Sequence, residues 1–304
     1  MSTLVHVLET ALPVFVTLGL GMLCRGKKLL SREAISGLKN IAVNITLPAV
    51  MFSAFATAEY TAKSLTIPLI MFALCLVAFF LGKVICKGFK IQGKLSPFLS
   101  TGFEAGMLGY GLFALLFGTE ANSSFAIVDL GQVLFVFTVY KIALSGKSNW
   151  RDCLKEAVLS PTVWAIAVGV LFGATGLYEA MPQTSGILSS VATFIAAPTS
   201  AIILITIGYD LEPREIRWRS TIGIVAMRLI LMGVLLAGML LLNRYVLNGM
   251  IHTGALVLMM TLPPPYVLPV FADAPEERAN LSSALSVLTL ISLLLFAAET
   301  AIFA

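Results

Sequence analysis

A chain of 304 residues with 58% apolar and only 12% charged side chains, at a mean hydropathy of +0.95, is excluded from the ordinary soluble globular class, whose members carry roughly a quarter charged residues. The formal net charge of +4 is small, and its placement says more than its size. A helix of about 20 apolar residues crosses a bilayer core of about 30 Å, so a chain filled with spans keeps only short loops and has no room for a sizeable soluble catalytic or nucleotide-binding domain.

In chain order the apolar runs read as an all-α polytopic membrane protein with ten transmembrane helices, at 4–24, 38–57, 65–86, 97–117, 124–145, 158–177, 186–209, 220–243, 252–272 and 280–303. The first resembles a secretory signal in its apolar stretch from Ala11 to Leu23. It lacks a basic leader, however, and is followed by Arg25, Lys27 and Lys28, the flank of a retained span. The basic residues test the count independently. Arg25, Lys83, Lys147, Arg217 and Arg278 typify the sixteen that cluster after odd-numbered spans, against Lys63 and Arg244 on the other side, with Lys141 and Arg228 inside spans. The positive-inside rule then puts those loops in the cytoplasm and both termini outside, in an integral plasma-membrane protein of the bacterial inner-membrane kind. Cys24, Cys75, Cys86 and Cys153 all lie in spans or near the cytoplasmic face, so no disulfide framework is expected.

Ten spans divide into 5+5, and because five is odd the second half enters the membrane from the opposite side. This is the arithmetic of an inverted repeat, with residues 1–145 as the first repeat, 146–157 as a cytoplasmic linker and 158–304 as the second. Such repeats place their sites at broken helices. Span nine contains Pro263, Pro264 and Pro265 followed by Tyr266, and three successive residues without N–H donors cannot continue an α-helix. Span four holds Gly102, Gly106, Gly109 and Gly111 within ten residues, together with Thr101, Glu104 and Tyr110. Unwound backbone in hydrocarbon must line a cavity or pack against protein, so broken helices four and nine are expected to cross, leaving carbonyls for a cation and half-helix N-termini for an anion. A second reading of span four is close packing, since Gly102 and Gly106 form a small-xxx-small pair.

Several segments resemble the auxin efflux carrier family, whose architecture is related to that of the bile acid/sodium symporters. They are Leu12-Pro13-Val14-Phe15 with Gly19 and Arg25, Asn44-Ile45-Thr46-Leu47-Pro48-Ala49-Val50-Met51-Phe52, Ser160-Pro161, Gly169 with Gly173, Ile207-Gly208-Tyr209-Asp210-Leu211, and Arg228. The resemblance runs along almost the whole chain and is most specific at the Leu-Pro-Ala segment. It implies a permease of small carboxylates. In span four Glu104 stands where the family often has an Asn, and span nine has three prolines where the family usually has one.

A charge inside a span is costly and usually functional or paired. Glu104 is the deepest acid and is expected to be the coupling carboxylate for H+ or Na+, with Thr101, Gln132 and carbonyls of the Pro263 region as helpers; the alternative is a structural Glu104 paired with Arg228. Asp129 reads as an interfacial residue or one at the mouth of the substrate path, and Arg228 as the partner of an internal acid or of a substrate carboxylate. Asn44 and Thr46, just before Pro48, either edge the cavity or satisfy carbonyls freed by that proline. Glu9 and Glu299 are expected at the outer interface, and Lys141 and Asp210 at the cytoplasmic one.

The only histidines are His6 and His252, too few for a paired-histidine catalytic site, and Asp129 and Asp210 lie towards opposite faces, so an aspartyl protease pair and an enzyme are disfavoured. No phosphate-binding glycine loop or other cofactor motif occurs, no resident metal is expected beyond Na+ at Glu104, and the basic clusters are those topology requires rather than a nucleic-acid surface. The expected function is a secondary transporter of a small organic anion, a mono- or dicarboxylate, working by alternating access with H+ or Na+ as coupling ion. Its expected partners are that anion, the lipid bilayer and a candidate second copy of the chain as homodimer. A sodium-coupled symporter of larger amphipathic anions, of the bile acid type, is the alternative.

Overall fold

The computed structural model describes residues 3–145, 158–211 and 216–303. The expected linker 146–157, with Cys153, and Arg214 lie outside these. Among the described residues all regular structure is helical. In chain order the main segments are α1 (Thr3–Gly26), α2 (Arg32–Ala56), α3 (Thr66–Gly88), α4 (Ser96–Phe117, interrupted), α5 (Thr119–Leu144), α6 (Pro161–Ala174), α7 (Pro182–Asp210), α8 (Trp218–Tyr245), α9 (Thr253–Thr261) and α10 (Pro275–Ile302). Eight of these are long and apolar enough to cross a membrane; α6 is a shorter apolar helix, and α9 stops at the triple proline. The outward faces expose large apolar side chains such as Leu69, Val84, Phe194, Ile230 and Leu294, a surface that suits lipid and not water. The protein is therefore an integral membrane protein.

Two helix groups pack against each other. In one, α1 lies along α7 and α2 along α6; in the other, α3 packs on α5, α8 on α10 and α3 on α8, with the two interrupted helices inside. The close contact of α1 and α7 depends on two glycines. A β-carbon at Gly21 would lie 2.8 Å from the Tyr209 amide nitrogen, and one at Gly208 would lie 2.9 Å from the Leu18 carbonyl carbon. Beside this contact the Tyr209 hydroxyl donates to the Leu30 carbonyl, Arg25 donates to the Tyr209 carbonyl, and Lys39 pairs with Asp210, so both residues following Gly208 hold the same corner. Gly208→Ala is expected to force the backbones apart and destabilise the fold by about 1–3 kcal/mol. Gly186→Ala, a helical position with nothing near its β-carbon, should leave the thermal midpoint in detergent unchanged. Equal midpoints for the two variants would refute the close-contact argument.

Prolines shape the second and seventh helices in the same manner. Pro48 removes an amide donor from α2, and the helix widens into a π-turn at Ala42–Thr46. Asn44 donates to the Asn40 carbonyl and Thr46 to the Ala42 carbonyl, one turn back on their own helix and not to the carbonyl four residues before Pro48. Pro198 likewise divides α7 into Pro182–Ala196 and Thr199–Asp210. At the turn between α8 and α9 the buried Asn243 exchanges both hydrogen bonds with Ile251, through its amide nitrogen at 2.8 Å and its oxygen at 2.9 Å.

Candidate transport site at the crossing of two broken helices

Each break follows from its residues. In α4 a short 3-10 turn, Ser96–Ser100, gives way to extended Thr101 and then Gly102 at φ +71°, a conformation that disfavours a side chain. The chain re-enters a helix through a wide turn, Ala105–Gly109, and continues as Tyr110–Phe117. At the other break α9 ends at Thr261, Leu262 is extended, the three prolines are buried, and a 3-10 turn forms at Leu268–Phe271. The two interruptions touch. A β-carbon at Gly102 would lie 3.0 Å from Pro265 Cγ, and one at Gly109 would lie 2.8 Å from Leu262 Cδ1.

Glu104 ties the breaks together. Its amide donates to the Pro263 carbonyl at 2.8 Å, its Oε2 accepts from the Tyr266 amide at 2.7 Å, and its Oε1 accepts from the Met107 amide at 3.4 Å. The carboxylate thus caps the half-helix beginning at Ala105 and holds the amide just after the prolines, satisfying donors that the two breaks release. Arg228, only 2% exposed, performs the complementary task for carbonyls. It donates to Leu99 at 2.9 Å, Gly102 at 3.0 Å and Leu262 at 2.9 Å, and its guanidinium stands over the Phe103 ring. This corrects the expectation that Arg228 pairs with an acid: its partners are three carbonyls without intrahelical partners, and the alternative Glu104–Arg228 pair does not form.

Asp129 is buried within the protein: it is 1% exposed and accepts from the Tyr110 hydroxyl at 3.2 Å and from Gln132 at 3.0 Å. Gln132 also donates to the Phe103 carbonyl at 3.2 Å, which links this cluster to the first break. Glu299, expected at the interface, is 3% exposed and bonded to Thr261. Lys141 lies over the Phe137 ring, and Asp210 is exposed and paired with Lys39.

The remaining sequence candidates divide by location. Thr101 is buried and donates away from the crossing, to the Cys75 carbonyl of α3 at 2.8 Å. Asn44 is exposed and bonded to its own helix, away from the crossing. Tyr266 reaches Thr289 of α10 through its hydroxyl at 3.0 Å. Gly106 and Tyr110 line a cavity of about 260 Å³ between the two helix groups.

That cavity was not read from the sequence. Its polar lining comes from Ser53 and Thr57 of α2, Tyr110 of α4, Thr119 and Asn122 of α5 and Thr193, Thr199 and Ser200 of α7, and no ionised side chain borders it. The Asn122 side-chain oxygen is buried without a partner. Small hydroxyl residues are frequent in any apolar helix, so their types alone carry no signal. Pro198, next to Thr199 and Ser200 in the middle of span seven, was the available marker.

Comparison with known proteins agrees with this architecture. Residues 6–152 match a family described as membrane transport protein. An uncharacterized transporter of Methanothermobacter thermautotrophicus is 27% identical over 220 residues, covering 69% of each chain. With its lipid-facing helical exterior, the chain is similar to membrane transport proteins, over a match that runs through the first broken helix.

Proposed function

We propose that the protein is a secondary active transporter of a small organic anion, a mono- or dicarboxylate, coupled to H+ or Na+ and working by alternating access. Glu104 carries this reading: one carboxylate holds amides from both broken helices, so its charge state is tied directly to the geometry of the crossing. The local charges support coupling to a cation. Glu104 and Asp129 are two acids near the breaks, Arg228 is the base beside them, and Arg228 is bonded to carbonyls rather than to either acid. Two carboxylates removed from water without a paired base favour uptake of a proton or a sodium ion.

The half-helix at Ala105 supplies the place for an anion. Its N-terminus borders the cavity through Gly106 and Met107, and helix N-termini attract carboxylates. Glu104 already occupies that end. A substrate carboxylate therefore arrives beside a like charge unless Glu104 is neutralised, which links substrate and coupling ion by electrostatics. The cavity volume of about 260 Å³ lies below the usual drug-sized range, which favours a small anion over the larger amphipathic class.

The ten-helix inverted repeat belongs to the same reading. Exchanging the first five segments with the last five maps the α1–α7 contact onto α6–α2 and the α3–α5 contact onto α8–α10, and it pairs Pro48 with Pro198 and break four with break nine. These correspondences support 1–145 and 158–304 as the two repeats.

The test is uptake into proteoliposomes of a panel of mono- and dicarboxylates under separately imposed pH and sodium gradients. Saturable uptake of one acid, driven by one of the two gradients, is the expected result; unsaturable conductance, or no response to any acid or gradient, overturns the proposal. Ser53→Phe, which fills the cavity from α2, is expected to reduce that uptake at least tenfold while leaving the thermal midpoint near its original value. Undiminished uptake would place the substrate elsewhere.

A further inference from the structure

We propose that Glu299 is a second proton-carrying carboxyl of the protein, neutral in the conformation seen here, with its proton donated to Thr261 at the end of α9. The inference is independent of Glu104 and rests on a count of hydrogens. The Thr261 hydroxyl oxygen lies 2.9 Å from the Leu258 carbonyl and 2.7 Å from Glu299 Oε1. A threonine hydroxyl has one proton, a backbone carbonyl only accepts, and an ionised carboxylate also only accepts. With Glu299 ionised, two acceptors compete for that single proton. With Glu299 protonated the contacts form one chain: the acid O–H donates to Thr261, and Thr261 donates to Leu258.

The second oxygen of Glu299 points the same way. Oε2 is buried and has no hydrogen-bond partner. An unpartnered carbonyl oxygen of a neutral acid is a modest penalty, whereas an unpartnered carboxylate oxygen in an apolar surround is a large one. Nor does a charged group compensate it. On the neighbouring elements Glu9 of α1 is exposed, Arg228 of α8 is bonded to Leu99, Gly102 and Leu262, His252 of α9 caps its own helix by accepting from the Ala255 amide, and the Tyr266 hydroxyl is bonded to Thr289. The one polar contact of the Glu299 side chain among the described residues is Thr261.

This location joins the proton to the second break. Thr261 is the last residue of α9; its carbonyl accepts from Ser292 of α10 at 2.6 Å, and the carbonyl of the following residue, Leu262, is held by Arg228. A movement of break nine relative to α10 strains or parts the Glu299–Thr261 bond. Loss of that bond removes the one partner of the acid proton and makes its release to water easier. Glu299 is thus placed to gain and lose a proton in step with break nine, as Glu104 is with both breaks.

The test needs no transport. Infrared spectra of the purified protein in lipid at neutral pH are compared between wild type and Glu299→Gln. The expected result is loss of one protonated-carboxyl C=O band in the variant, and a shift of that same band in Thr261→Val, which removes its hydrogen-bond partner. Glu299→Gln should keep the wild-type thermal midpoint, because the glutamine NH2 replaces the acid O–H as donor to Thr261. Identical carboxyl regions in wild type and Glu299→Gln, or a carboxylate band lost instead, would show an ionised Glu299 and overturn the inference while leaving the reading of Glu104 untouched.

Discussion

Arg228→Met is expected to dismantle the crossing itself. The methionine roughly fills the volume of the arginine stem but offers no donor, so the carbonyls of Leu99, Gly102 and Leu262 lose their guanidinium partner together. Each buried acceptor left unsatisfied is worth about 1–3 kcal/mol, and three lose their donor at once. The two breaks have few other direct links, chiefly the Glu104 bonds to Pro263 and Tyr266. The variant should therefore lose at least about 3 kcal/mol in detergent unfolding and yield little folded protein. Arg228→Lys should fall between the two. An ammonium is a point donor and does not reproduce the planar fork that reaches Leu99 through one nitrogen and Gly102 and Leu262 through the other. A methionine variant with the wild-type midpoint would mean that the guanidinium contacts do not hold the breaks together.

The same residue shows what a sequence can and cannot disclose about such a protein. The breaks were legible because proline and glycine act on their own backbone: three adjacent missing donors end a helix wherever they stand, and the cluster from Gly102 to Gly111 weakens one. The partners of Arg228 were not legible, because every residue has a carbonyl and nothing in a string of letters marks the ones that a neighbouring break sets free. Acids were the visible partners, and the fold uses them otherwise. Burial is hidden for a different reason. The span reading puts Asp129 about one turn in from 124, whereas the helical segment begins at Thr119 and the Tyr110 and Gln132 contacts cover the side chain. Glu299 does lie near the end of α10, three residues before Ile302, yet it is covered by its packing against the end of α9. Distance along a helix gives depth in the membrane, whereas burial depends on which other helix faces that turn.

Glu104→Gln is the substitution that separates a structural clasp from a coupling group. Glutamine keeps the length of the side chain and one acceptor oxygen, but presents an NH2 to one of the two amides, Tyr266 or Met107, that the carboxylate now receives. Since 2.7 Å marks the Tyr266 bond as the shorter, the oxygen should turn there and leave Met107 facing a donor at the start of the half-helix. The loss of one charge-assisted bond is expected to destabilise the fold by about 1–3 kcal/mol, small enough for the protein to be purified. Its effect on transport should be far larger. The fixed neutral side chain permits a substrate carboxylate at the half-helix N-terminus in every step of the cycle, so binding and exchange of substrate between the two sides should persist. The gradient, however, no longer has a carboxylate to neutralise, and accumulation against a concentration difference should fall to the level seen with no gradient imposed. Retained exchange with lost accumulation is the signature of an uncoupled carrier, which a merely structural Glu104 would not produce. Gradient-driven accumulation at the wild-type rate would remove Glu104 from the coupling role and leave it as the cap of the Ala105 half-helix alone.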